Sequence, residues 1–172
     1  MPFYKYNTNR ETADGVVPGV FLPAVIHNIH HYFTLLGVYK DGMIDCWGLI
    51  TFEEFVAKTK SGWVTNTVPA GRTFGIHHLA YLTVTASEPE GTIDDLVKDV
   101  RNAIEELNGR PTAQERIADA IRAIAENETH EARAAFISAY ADLPCFHRKY
   151  IFGSRMEKHK DIQRLLEPTK DT

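Results

Sequence analysis

The chain has 172 residues, of which 44% are apolar and 24% charged, and its formal net charge is −4. That is enough apolar chain to bury a core without covalent staples, and it excludes wholesale disorder, collagen and coiled-coil fibre. The acidic balance gives no general attraction to nucleic acid or to an anionic membrane surface.

No apolar run approaches the roughly 18 residues of a membrane span. The start, MPFYKYNTNRE, has no basic-then-apolar signal pattern. Two cysteines, Cys46 and Cys145, cannot build a disulfide framework. A soluble protein of a reducing compartment, the cytoplasm, is therefore expected.

The composition changes near residues 88–91. Aromatic residues, Thr, Val and Gly crowd the first part, whereas Ala, Glu, Arg and Ile fill the second. Strands followed by helices predict an α+β fold. Its expected form is a predominantly antiparallel, strongly bent sheet or partly open small barrel, followed by a C-terminal helical layer. The expected division is a β-rich part with one short helix over residues 1–90 and a helical part over 91–172, packed on the same core.

Residues 1–19 read as an extended lead-in with turns at Asp14-Gly15 and Pro18-Gly19. A first strand is expected over 21–27, with Pro23 pointing to an edge position or a late start. Asn28 then offers a turn, and 32–39 is a stronger strand. Asp41-Gly42 predicts a hairpin, with 43–49 returning antiparallel. Thr51 and Glu54 have capping-box spacing at the start of a short helix that ends at Ser61-Gly62. Strands are expected over 63–68 and, longest of all, over 73–85. Strict alternation in the latter puts Phe74, Ile76, His78, Ala80, Leu82 and Val84 on the covered face, with His77 pointing the other way.

The helical half is patterned more sharply. Thr92 and Asp95 form a second capping pair. Ile93, Leu96, Val97, Val100, Ile104 and Leu107 then make one face of a helix over 93–107. Asn108-Gly109 stops it. Thr112 and Glu115 open the next helix, with a face of Ile117, Ala120, Ile121 and Ile124. An alanine-rich helix follows over 130–142, then a short helical turn over 146–152 and a last helix over 155–166.

Histidine is the frequent reactive type, with eight copies. Five lie in the first part: His27, His30, His31, His77 and His78. Imidazoles bind metals and move protons near neutral pH, so His31 and His77, with Asp45 and Cys46 on a neighbouring strand, are the candidates for catalytic work. No H-E-x-x-H or C-x-x-C motif accompanies them, and neither a metal nor another cofactor is expected. Ser61, Ser87, Ser138 and Ser154 lack a nucleophile-elbow context. The segment G-R-T-F-G at 71–75 is not followed by Lys-Ser or Lys-Thr, so no phosphate loop is expected.

Two surfaces carry recognition chemistry. Tyr32, Trp47, Trp63, His77 and Tyr81 form the candidate aromatic surface of the sheet, because large aromatics anchor interfaces. Residues 146–164 hold six Lys+Arg against two Asp+Glu, with Arg148 and Lys149 beside aromatic residues. These patterns lead to a non-enzymatic protein-interaction or accessory module with a protein partner. The alternatives are a small metal-dependent or acid/base enzyme built on the sheet histidines, and a nucleic-acid binder using the basic tail.

Overall fold

The Asp14-Gly15 turn joins two strands rather than interrupting a lead-in. In the computed structural model, which describes residues 6–86, 91–153 and 160–167, β1 (Tyr6–Thr12) and β2 (Gly15–Asn28) form a hairpin with Tyr6 opposite Phe21 and Thr12 opposite Gly15. The expected first strand was thus too short, and β2 is paired on both sides. Its two prolines sit where no ladder donor is needed. The His27 N–H reaches the Trp63 carbonyl at 2.8 Å, so odd residues of β2 direct their backbone groups to that side. Pro23 therefore faces a gap between Phe21, where β1 stops, and Val25, where the next partner begins. Pro18 faces the other side, where its carbonyl accepts from the Lys40 N–H at 2.9 Å and the Lys40 carbonyl is engaged instead by Asn108 Nδ2 at 2.7 Å. A proline is tolerated where its missing N–H has no acceptor to meet.

β3 (His30–Tyr39) runs back along β2 from Asn28↔His30 to Gly19↔Tyr39. β4 (Ile44–Asp45) and β5 (Leu49–Ile50) extend the meander, so the path is β1-β2-β3-β4-β5. β6 (Val64–Thr65) pairs with β2. β7 (Thr73–Ile76) runs parallel to β3, and β8 (Ala80–Thr83) pairs antiparallel with β7. Among the described residues the sheet is predominantly antiparallel, has eight strands and does not close.

The even residues of β2 and β3 face inward. Val20, Leu22, Ala24, Ile26, Leu36 and Val38 pack with Ile44, Cys46, Val64 and Phe55. Phe55 comes from α1 (Phe52–Lys60), whose Thr51–Glu54 capping box forms as the spacing predicts. The cover over this face is completed by Leu96, Val100 and Ala103 of α2 (Ile93–Leu107). Two side-chain amides fix α2 at its ends. Asn66 Nδ2 donates to the Thr92 carbonyl at 2.8 Å, and Asn108 Nδ2 donates to the Lys40 carbonyl at 2.7 Å.

On the opposite face, the Tyr39 ring lies across Gly19 and Gly37, and the Arg10 guanidinium sits 5.3 Å above that ring while bonding Asp41. The ring occupies the space that side chains at 19 and 37 would need.

The chain divides into two compact units, Met1–Arg110 and Pro111–Thr172. Although α2 follows the change in composition, it belongs to the first unit. The second contains α3 (Ala113–Glu126), α4 (His130–Asp142), α5 (Cys145–Phe152) and α6 (Lys160–Leu166). Its core is Ala113, Ile117, Ala120, Phe136, Ala139, Leu143 and Leu165, where alanines allow close helix approach. Residues 155–159 of the expected last helix lie outside the described residues.

A methyl group at Gly19 would stand 2.6 Å from Tyr39 Cδ1 and 2.7 Å from the Val38 carbonyl oxygen. Gly19→Ala is expected to destabilise the protein by about 1–3 kcal/mol, the usual cost of overpacking. Urea unfolding of the variant beside the wild type measures it; an unchanged midpoint would contradict the packing of Tyr39.

Candidate functional site

The expected strand over 43–49 breaks at a tight turn. Ile44 pairs with Ile50 and Asp45 with Leu49, leaving Cys46, Trp47 and Gly48 to reverse the chain. The Gly48 N–H donates to Asp45 Oδ1, and the Cys46 N–H to the Gly48 carbonyl, each at 3.1 Å. Trp47 takes φ 63° and Gly48 φ 149°. The Trp47 ring meets Tyr32 at 5.5 Å and stands perpendicular to Trp63 at 6.2 Å, and the Lys58 ammonium lies 3.8 Å above Trp63.

The expected long strand over 73–85 is likewise two strands. His77, His78 and Leu79 turn the chain between β7 and β8, and His78 takes φ 59°. The turn ends the alternation, so His78 does not join a covered face. It is exposed, as are Ala80 and Leu82, and its ring lies 3.9 Å from that of His77. Gly75 sits between Tyr32 and Tyr81: a Cβ there would be 3.0 Å from a ring atom of each.

These turns bring four segments to one cleft. It has a volume of about 530 Å³ and is lined by Tyr32, Phe33, Thr34, Trp47, His77 and Tyr81. A smaller recess of about 210 Å³, over Gly75, shares Tyr32, His77 and Tyr81. Trp63 does not line the cleft but backs Trp47. None of the lining residues is an Asp, Glu, Lys or Arg. Phe33 and Thr34 were not singled out from sequence; their strand pattern gives no sign that the neighbouring strands turn away beside them.

The other candidates disperse. His31 pairs with His27 across β2 and β3, rings stacked at 4.4 Å, on the face of the sheet opposite the α2 core. Cys46 lies in that core, and burial pushes its thiol pKa up, away from the thiolate that nucleophilic chemistry requires. Asp45 is engaged by the turn. Among the described residues, no group of three His, Cys, Asp or Glu side chains is arranged to hold a metal ion. Arg148 is turned to the end of α4, donating to the carbonyls of Leu143 at 2.8 Å and Ala141 at 3.2 Å and stacking over Tyr140 at 4.6 Å. Lys149 is exposed beside it. Arg155 and Lys158 of the basic stretch lie outside the described residues.

Residues 7–111 match the family described as Domain of unknown function (DUF7638). The chain belongs to this family. No curated protein and no solved structure matches it. The matched segment covers β1 through α2, nearly the whole of the first unit, and contains the aromatic cleft; α3–α6 lie beyond it. No helix among the described residues is long and apolar enough to cross a membrane.

Burial lowers the pKa of His31 below its ordinary 6.5, with further lowering from His27, Arg72 and His30. The unfolded chain then binds this proton more readily than the folded one. The stability due to neutral His31 is complete above the unfolded pKa, falls as pH drops below about 6.5, and levels off beneath the folded pKa. Urea unfolding from about pH 8 to about pH 5 should show that decline, and His31→Gln should flatten it. Equal pH slopes for the two proteins would refute the assignment.

Proposed function

We propose that this protein is a non-enzymatic recognition module whose cleft of Tyr32, Trp47, His77 and Tyr81 receives a segment of a partner protein. The observation that carries this reading is the convergence of three large aromatic side chains from separate chain segments on one open cleft with no Asp, Glu, Lys or Arg in its lining. Tyr and Trp supply large contact area at little entropic cost and dominate interface energetics. The dispersal of His31, Asp45 and Cys46 supports binding over the histidine-based enzyme. The engagement of Arg148 with α4 carbonyls favours the sheet over the basic tail as the contact surface. Residence in the cytoplasm is part of the same reading; its support is that Cys46 and Cys145 are both outside any disulfide.

Capture of a partner from a lysate of the source cells tests it, followed by measurement of the purified pair. Trp47→Ala and Tyr81→Ala are each expected to weaken binding about 30-fold, the effect of a hot-spot loss of about 2 kcal/mol. The Arg148→Ala and Lys149→Ala variants should bind nearly as well as wild type, with little dependence on salt. Undiminished binding by both cleft variants would reject the site. Substrate turnover that disappears in His31→Ala or His77→Ala would reject the non-enzymatic reading altogether.

A further inference from the structure

The edges of the sheet are unequally protected. β1 carries Asn7, Asn9, Arg10 and Glu11, polar and charged residues that discourage pairing with another chain. β5 and β6 are two residues long. β8 has neither safeguard. Its sequence is Ala-Tyr-Leu-Thr, all four residues are exposed, and among the described strands it pairs with β7 alone. Leu79, Tyr81 and Leu82 are 81%, 72% and 50% exposed.

The direction of its free hydrogen bonds follows from the register. The Val84 N–H donates to the Arg72 carbonyl at 3.0 Å, and the Val84 carbonyl accepts from the Gly71 N–H at 2.7 Å. Even residues of this strand therefore bond toward β7. Tyr81 and Thr83 direct their N–H and C=O groups away from the sheet, two residues apart.

We infer that β8 is a self-association edge, on which a second copy of this chain pairs antiparallel about a twofold axis at Leu82. In that register Tyr81 lies opposite Thr83 of the second copy, and Thr83 opposite its Tyr81. Four backbone hydrogen bonds form, and all the outward groups of β8 are used. Leu82 meets its own counterpart as a non-hydrogen-bonded pair, in which side chains come closest.

Charge argues for the second copy as the occupant. A twofold interface sets each group near its own like, and a chain of net charge −4 repels itself wherever that charge is presented. Residues 79–86 contain no Asp, Glu, Lys or Arg, so this edge is free of that repulsion. Leu82 also shares a face with Phe74, its partner on β7, and Phe74 stands perpendicular to Phe33 at 6.4 Å. The Leu82 pair continues this apolar strip across the axis. The pairing uses the backbone of Tyr81 and leaves its ring beside Gly75, so it is independent of the function proposed for the cleft.

Sedimentation of the full chain over a concentration series tests the inference. The wild type is expected to dimerise with a Kd of about 1–100 µM, as suits an interface below the standard size of about 1,600 Å². Thr83→Pro removes an outward N–H without touching the β7 ladder, and Leu82→Lys places like charges at the axis. Each should weaken the dimer at least tenfold while the far-ultraviolet circular dichroism stays unchanged. Leu82→Cys in a Cys145→Ser chain keeps the test open should either variant fail to fold. Mild oxidation should link the two copies, because a pair at about 4.5 Å between Cα atoms suits a disulfide. A wild type that stays monomeric throughout, dimers unaffected by both substitutions, or a Leu82→Cys chain that does not cross-link would overturn the inference.

Discussion

The ladder between β2 and β3 carries the first unit. It runs without interruption from Gly19↔Tyr39 to Asn28↔His30, and β1, β4, β6 and β7 each pair with one of these two strands. Its even residues supply most of the sheet's share of the core, on which α1 and α2 rest. Two positions on the other face must be glycine for a steric reason. Tyr39 lies across Gly19 and Gly37, and the ring replaces side chains that the pleat would otherwise present there. The amides of Asn66 and Asn108 then hold α2 at both ends against elements joined to this ladder.

The aromatic cleft is a consequence of the same ladder. β3 is longer than its partners on the side away from β2. β7 accompanies it only at His31 and Tyr32, and β4 only at Gly37 and Val38. Between them the neighbouring chain leaves the sheet twice, at His77 and after Cys46. The Tyr39 N–H bonds the Met43 carbonyl at 3.0 Å, which shows that odd residues of β3 address this side. Leu35 thus has no strand opposite it there among the described residues. The cleft lies where the sheet is interrupted, and the rings of Trp47 and Tyr81 come from the turns and strand on either side of the interruption.

The parts of this architecture legible in the sequence are those set by local chemistry. The pairs Thr51/Glu54, Thr92/Asp95 and Thr112/Glu115 all form capping boxes, and the apolar spacing after each defines the helix that follows. The change from strands to helices, and hence the fold class, follows from the same periodicity. Of the candidate aromatic surface of Tyr32, Trp47, Trp63, His77 and Tyr81, all but Trp63 line one cleft, and Trp63 stands against Trp47. The illegible parts are the places where the chain turns without its usual punctuation. Alternation continues through Ile76-His77-His78-Leu79-Ala80 with no Gly, Pro or Asn, so one long strand was expected in place of β7 and β8. The assignment of His78 to a covered face failed with it. Pro18 and Pro23 misled in the opposite direction, because what accommodates them, the Asn108 amide on the Lys40 carbonyl and the gap between β1 and β6, is distant in sequence.

The three described non-glycine residues with positive φ mark those unpunctuated turns: Ile29 at 63°, Trp47 at 63° and His78 at 59°. Such a conformation costs on the order of 1–3 kcal/mol and persists where surrounding contacts over-determine it. Around Trp47 the compensation is visible. Its ring contacts Tyr32 and Trp63, and aromatic pairs contribute roughly 0.5–1.5 kcal/mol each beyond their burial, which is enough to offset a cost at the lower end. Among the described residues, His78 has one ring neighbour, His77. Ile29 has less still: it is 88% exposed at the tip of the β2–β3 hairpin, so what holds it is the ladder on either side, closed at Asn28↔His30 and His27↔His31. The strain at Ile29 therefore follows from the hairpin register. At Trp47 it is tied to side-chain packing at the cleft: a glycine there would relax the backbone and remove the ring on which the cleft's wall depends.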